Sequence, residues 1–241
     1  MQTKTKAIVL RTLKYGEQSL IVDMLTEQSG RTAFIVRIPK TQKGGLKKQL
    51  FQPLTLLEIV FDNRQSARLL HLREARIAHP FTSIPFDPSK LAVALFLAEF
   101  LYYCTRDELR NIPLFQYVEN SITWLDASQR SFANFHLVFM MRFTLFTGFY
   151  PNLDDFTPGC CFDLRSAGFA AVAPLHPDVL CPDDASRIVT LMRMDYESMH
   201  VFRLNRDERN RITETLLAYY RLHIPAMPEL HSFAVMRELF V

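Results

Sequence analysis

TKAIVLRTLKY (residues 5–15) and SLIVDMLTEQ (residues 19–28), separated by Gly16-Glu17-Gln18, are short runs rich in β-branched and aliphatic residues, bounded by turn formers. That pattern predicts two strands joined by a tight connection. A turn at Ser29-Gly30 leads into RTAFIVRI (31–38). QPLTLLEIVF (52–61), the polar turn DNRQSA (62–67) and RLLHLREARIAH (68–79) complete a set of five. Five strands in about eighty residues are too few for a sandwich of two good sheets, and the short connections make them mostly antiparallel. The expectation is a small barrel of the OB type.

From Pro80 onward the apolar period changes to that of helices. PSKLAVALFLAEFLYYCTR (88–106) opens with a Pro-Ser start signal, and five further amphipathic segments follow at 112–128, 132–149, 184–194, 205–223 and 229–240. The expected class is α+β, with an OB-type nucleic-acid-binding domain over residues 1–79 and a helical domain over 80–241. An irregular insertion rich in Pro, Asp and Gly interrupts the helical domain at about 150–183. No internal repeat and no low-complexity segment is present.

At 241 residues, 49% hydrophobic and 22% charged, the chain is of ordinary globular composition. No N-terminal run has signal-peptide form, and LAVALFLAEFLYYC (91–104) is too short to span a bilayer and carries Glu99. The four cysteines, two of them adjacent (Cys160 and Cys161), make a poor disulfide framework. A cytoplasmic, nucleoid-associated protein with no membrane contact is expected.

The net charge of +3 conceals an asymmetry. Residues 1–79 hold 14 Lys and Arg against 6 Asp and Glu, whereas residues 80–241 hold 14 against 19. Residues 28–57 contain six cations and no acid. IPKTQKGGLKKQL (38–50) concentrates four of the lysines around Gly44-Gly45. A field of one sign attracts polyanions, and flexible lysine point charges suit contact with a phosphate backbone without reading its sequence. The candidate DNA-binding residues are Lys40, Lys43, Lys47 and Lys48 in this loop, with Arg11, Lys14, Arg31, Arg37 and Arg68 on the strands. Phe34, Phe51 and Phe61 sit at strand spacing among aliphatics and are expected in the core, leaving Tyr15, beside Gly16, as the exposed aromatic.

No Walker A, GxGxxG, GxSxG or HExxH pattern occurs. His136, His200 and His223 lie in apolar helical segments, where a packed or partnered histidine is the expectation. Asp154-Asp155 and Asp183-Asp184 are expected as turn and cap residues. The chain is therefore not expected to be an enzyme, and no cofactor is expected.

IVLRTLKYGEQSLIVDMLTEQSGR (8–31), FMMRFTLFTGFYPNL (139–153) and YYRLHIPAMPELHSFAVMRELF (219–240) together resemble, in order and across nearly the whole chain, the RecO family of bacterial recombinational-repair proteins. The resemblance implies binding to single- and double-stranded DNA and annealing of complementary strands. It also implies work with RecR and the single-strand DNA-binding protein to load RecA, with RecF and the RecA filament as further candidate partners. It implies contact with the acidic tail of the single-strand DNA-binding protein, for which a cation beside apolar side chains is needed. Arg142, among Phe139, Phe143 and Phe146, is the candidate. Many members carry a zinc module of two CxxC pairs. Here the matching stretch reads Cys160-x-x-Asp163 and Cys181-x-x-Asp184, so the expectation is a zinc module that has degenerated, with a Cys₂Asp₂ site the alternative. From charge alone, an RNA-binding or translation-associated OB protein is the second reading.

Overall fold

The computed structural model describes residues 2–38, 46–62 and 68–239. Five strands form a closed barrel in the order β1-β2-β3-β5-β4, with β1 over Gln2–Tyr15, β2 over Ser19–Thr26, β3 over Gly30–Arg37, β4 over Leu56–Asp62 and β5 over Leu70–His79. All pairings are antiparallel except β3 with β5, which run parallel at Phe34↔Leu70 and Ile35↔His71 and close the barrel. Inside it Phe34 meets Phe61 edge to face at 5.2 Å, within a core that includes Val9, Val22, Met24, Val36, Phe51 and Ile59. Core placement of the three phenylalanines is as expected, although Phe51 belongs to a single 3₁₀ turn over Lys48–Phe51 rather than to a strand.

A β-bulge between Val9 and Arg11 reverses the alternation of β1. Before it, Ala7 and Val9 point into the core. After it, Thr12 and Lys14 pair with the inward Val22 and Leu20, so Arg11, Leu13 and Tyr15 fall on the outer face.

The described residues divide into two compact units, one within Met1–Ala127 together with Leu230–Leu239, the other Ser128–Glu229. The change from strand to helix therefore does not coincide with the division by packing. In the first unit the barrel is joined by α1 (Pro88–Cys104), α2 (Ile112–Ala127) and α6 (His231–Leu239). Asp87 caps α1 by accepting from the amides of Ser89 and Lys90, and Pro88 takes the first helical position. Glu99, on α1, accepts from the amides of His231 and Ser232 and so caps α6. Asp126 is buried at the end of α2 and accepts from the amides of Thr82, Ser83 and Ile84 at 2.8–2.9 Å. Burial pushes its carboxyl up, but these amides and the Thr82 hydroxyl outweigh that and hold it below the usual carboxylate range. Lys90, also buried, donates to the Ser83 hydroxyl at 2.6 Å and to the Asp126 carbonyl at 3.1 Å. Together these bonds fix the chain leaving β5 to the first two helices.

The second unit holds α3 (Phe135–Thr147), α4 (Pro182–Arg193) and α5 (Arg206–His223). The expected irregular insertion contains a small sheet, β7-β6-β8, from Gly168–Ala170, Cys161–Asp163 and Val179–Leu180. Strands of two or three residues lie below what periodicity can detect. Gly148, at φ +83°, ends α3 in the left-handed conformation, its amide donating to Thr144. Asn205 and Glu208 form a capping box at the start of α5. The Tyr220 hydroxyl donates to the Met140 carbonyl at 2.7 Å and ties α5 to α3.

Candidate nucleic-acid interface

Cations on the barrel fall into three groups. Those on β1 before the bulge and on β5 are paired: Lys4 and Arg76 with Glu58 of β4 (3.5 and 2.5 Å), Lys6 with Glu119 (2.8 Å) and Arg73 with Asp62 of β4 (2.7 Å). For three of them the carboxylate stabilises the charged form: the Glu119 hydrogen bond raises the Lys6 pKa, and Asp62 and Glu58 raise those of Arg73 and Arg76.

A second group is held by Tyr102 at the end of α1. Arg31 reaches Asp23 at 3.0 Å, donates to the Tyr102 carbonyl at 2.6 Å and lies 4.2 Å from the Tyr102 ring centroid, leaving its side chain 9% exposed. Arg11 is exposed but rests on the other part of the same residue, donating to the Tyr102 hydroxyl at 2.9 Å with its guanidinium 4.9 Å from the ring. Sequence spacing gave no sign of this clamp, because Tyr102 is remote in the chain. Its consequence is that Arg31 is turned inward, whereas Arg11 can still leave a solvent-facing partner.

Lys14, Arg37, Lys47, Lys48 and Arg68 form the third group: all are exposed and make no ion pair among the described residues. The first four gather at one end of the barrel. Arg37 is opposite Ser19, which is opposite Tyr15, and Lys14 is the next residue back along β1. The 3₁₀ turn is fastened to the same end, since the Thr12 hydroxyl donates to the Phe51 carbonyl at 2.8 Å. Leu46, Leu50 and Phe51 from this segment pack on the barrel core, so Lys47 and Lys48 are left pointing to solvent. Arg68 stands apart. The parallel register Phe34↔Leu70 carries it toward the Gly30 end of β3, away from Arg37. Lys40, Lys43, Gly44 and Gly45 lie outside the described residues.

In the second unit, Arg142 is half-buried on α3 and donates to the Met194 carbonyl at 3.3 Å. Phe139 is fully buried, stacked on Phe143 at 5.8 Å, while Phe146 is half-buried. Of the cysteine and aspartate positions, Cys160 is buried, and Asp163 is engaged by the Ser166 hydroxyl, the Arg165 amide and His176. Cys181 lies exposed, its thiol 3.6 Å from the Asp184 carboxylate. Among the described residues no three His, Cys, Asp or Glu side chains are placed to hold one metal ion. The histidines have other partners: His136 is buried against the Thr213 hydroxyl at 3.0 Å, His223 stacks on Phe149 at 4.5 Å, and His200 is exposed with Nδ1 2.7 Å from the Glu197 carbonyl. The Asp154 amide donates to Asn152 in a turn, whereas Asp183 and Asp184 lie inside the first turn of α4, whose N-cap is Cys181 and which has no side-chain cap hydrogen bond. No described helix is long and apolar enough to cross a membrane.

Residues 1–81 match the family model for the N-terminal part of recombination protein O, and residues 85–232 match that for its C-terminal part. The chain belongs to the RecO family. It is 50% identical over 240 residues to the DNA repair protein RecO of Phocaeicola vulgatus and 52% identical over 241 residues to that of Bacteroides fragilis, each match covering 100% of both chains. The RecO of Porphyromonas gingivalis is 32% identical, with 98% of each chain covered. RecO proteins act in DNA repair and recombination as mediators rather than as enzymes. Among the described residues, Lys14, Arg37, Lys47 and Lys48 at one end of the barrel are exposed and make no ion pair.

Proposed function

We propose that this RecO binds single- and double-stranded DNA at the end of the barrel carrying Lys14, Arg37, Lys47 and Lys48, and anneals complementary strands there. With RecR it then helps load RecA on DNA coated by the single-strand DNA-binding protein. The observation that carries this reading is the segregation of charge. Arg73, Arg76, Lys4 and Lys6 already have carboxylate partners, whereas the rim cations have none among the described residues. A cation already paired gains little from a phosphate, while an unpaired one releases the counterions it displaces. Annealing follows physically from the same rim. Lysines that neutralise phosphates on two strands at once reduce the repulsion that keeps them apart, and sequence-blind contacts leave base pairing to select the partner.

The acidic tail of the single-strand DNA-binding protein is assigned to Arg142, with half-buried Phe146 as its apolar neighbour. Phe139, on the same helix, is buried in the core. A guanidinium with one donor on the Met194 carbonyl keeps others for a carboxylate. The test is annealing of two complementary oligonucleotides coated with single-strand DNA-binding protein. Pairing should be accelerated by this protein and slowed toward the uncatalysed rate by combined replacement of the four rim cations with Gln. No acceleration by the unaltered protein would reject the reading.

A further inference from the structure

Beside the cationic rim, the outer face of β1, β2 and β3 carries two rows that the register sets side by side: Leu13–Ile21–Ile35, and Tyr15–Ser19–Arg37. Residues opposite one another across a sheet stand about 5 Å apart, and rows two residues apart along a strand about 7 Å. Leu13 is 40% exposed and Tyr15 55% exposed, while Ile21 and Ile35 are partly exposed between them. This apolar surface owes its position to the bulge at Val9/Arg11, which turns Leu13 and Tyr15 outward. Lower on the same face, Tyr102 covers Arg11 and Arg31, but among the described residues no ring or guanidinium stacks on Tyr15.

We infer that Tyr15 is a base-stacking platform for single-stranded DNA, with Leu13, Ile21 and Ile35 as its apolar floor and Arg37 holding the adjoining phosphate; this rests on the DNA-binding reading of the rim. Three observations commit the surface to this occupant. It is apolar and aromatic, which a base face matches and a phosphate does not. Arg37, which makes no ion pair among the described residues, stands in the same row as Tyr15, with Glu17 at the tip of the β1–β2 hairpin as the acid nearest in sequence. It also presents an exposed ring, on which a base splayed from a single strand can stack, whereas the bases of a duplex are stacked on each other and present only their edges. Tyr15 therefore separates the two kinds of DNA: the rim binds the phosphates of both, and the ring adds affinity for single strands alone.

The experiment compares Tyr15→Ala, Tyr15→Leu and Tyr15→Phe with the unaltered protein, titrating a labelled oligo-dT and a labelled duplex over a range of salt. A single strand containing 2-aminopurine reports stacking directly. Tyr15→Ala and Tyr15→Leu should weaken oligo-dT binding about ten-fold or more and reduce the 2-aminopurine signal. They should leave duplex affinity within about two-fold and the salt slope unaltered, and Tyr15→Phe should restore the single-strand affinity. Since Leu keeps apolar bulk on the strand, it separates loss of the ring from loss of the fold. Unaltered oligo-dT binding by folded Tyr15→Ala or Tyr15→Leu protein, or equal losses for single strand and duplex, would overturn the assignment. If instead the rim variant retains its salt slope while Tyr15→Ala loses single-strand affinity, the rim reading fails and the stacking platform stands.

Discussion

His136 illustrates how a residue type associated with catalysis can serve packing. It lies fully buried on α3 against Thr213, and burial, reinforced by the charge of Arg209, lowers its pKa from 6.5 to about 3. The folded chain thus keeps the imidazole neutral where the unfolded chain protonates it. Below about pH 6.5 the unfolded state binds more protons, so the contribution is complete above that pH and is lost at about 1.4 kcal/mol per pH unit as pH falls toward 3. Chemical denaturation between pH 7.5 and 5 should show this slope in the unaltered protein and a smaller one in His136→Gln. Equal slopes would mean that His136 is protonated in the fold or that its site opens before the transition. The same comparison of partners sorts the barrel arginines. Arg31 and Arg37 occupy equivalent outward positions on β3, yet Asp23 and Tyr102 engage the first and nothing described engages the second.

At the scale of elements, the β2–β3 turn shows how tightly the barrel is fitted to the chain that follows α1. Gly30 adopts φ +64°, and a Cβ there would fall 2.2 Å from the Glu108 carbonyl oxygen and 2.3 Å from that of Leu109. The neighbouring Arg31 amide donates to the same Glu108 carbonyl at 2.9 Å. Gly30→Ala must therefore both strain the turn and displace backbone. A loss of about 3 kcal/mol or more is expected in denaturant unfolding, against about 1 kcal/mol for Gly16→Ala, which bears the same kind of strain at φ +68° but has open space for a methyl group. Comparable losses at both glycines would contradict the close approach. This fit was invisible in the sequence, where Ser29-Gly30 reads only as a turn. Strand and helix positions were legible because long runs keep their period: the five strands and six helices lie where alternation and helical spacing put them. The short strands β6 to β8 were not, and neither was the bulge, since one inserted residue changes which side chains face out without changing composition. For the same reason Tyr15 could be read as exposed, but the partners that would share its face could not.

Across the whole molecule, the contrast between a basic N-terminal region and a net acidic remainder makes the barrel the candidate for DNA contact. Structure refines this by removing paired and buried cations from the count. What remains among the described residues is Arg68, which stands apart, and a rim of four, supplied by two strands and a 3₁₀ turn that the sequence places up to 34 residues apart and the barrel brings to one end. Electrostatic binding of this kind has one signature that packing and stacking do not share, the steep dependence of affinity on salt. For single-stranded DNA each phosphate contact adds about −0.7 to the slope of log K against log salt. Titration of labelled oligo-dT from low to moderate salt, comparing the unaltered protein with the Lys14→Gln, Arg37→Gln, Lys47→Gln, Lys48→Gln variant and with Arg73→Gln, Arg76→Gln, therefore tests the central claim most directly. The rim variant should flatten the slope by about 2 to 3 and the paired-arginine variant should leave it nearly unchanged; an unchanged slope in a folded rim variant would contradict the assignment of DNA to this end of the barrel.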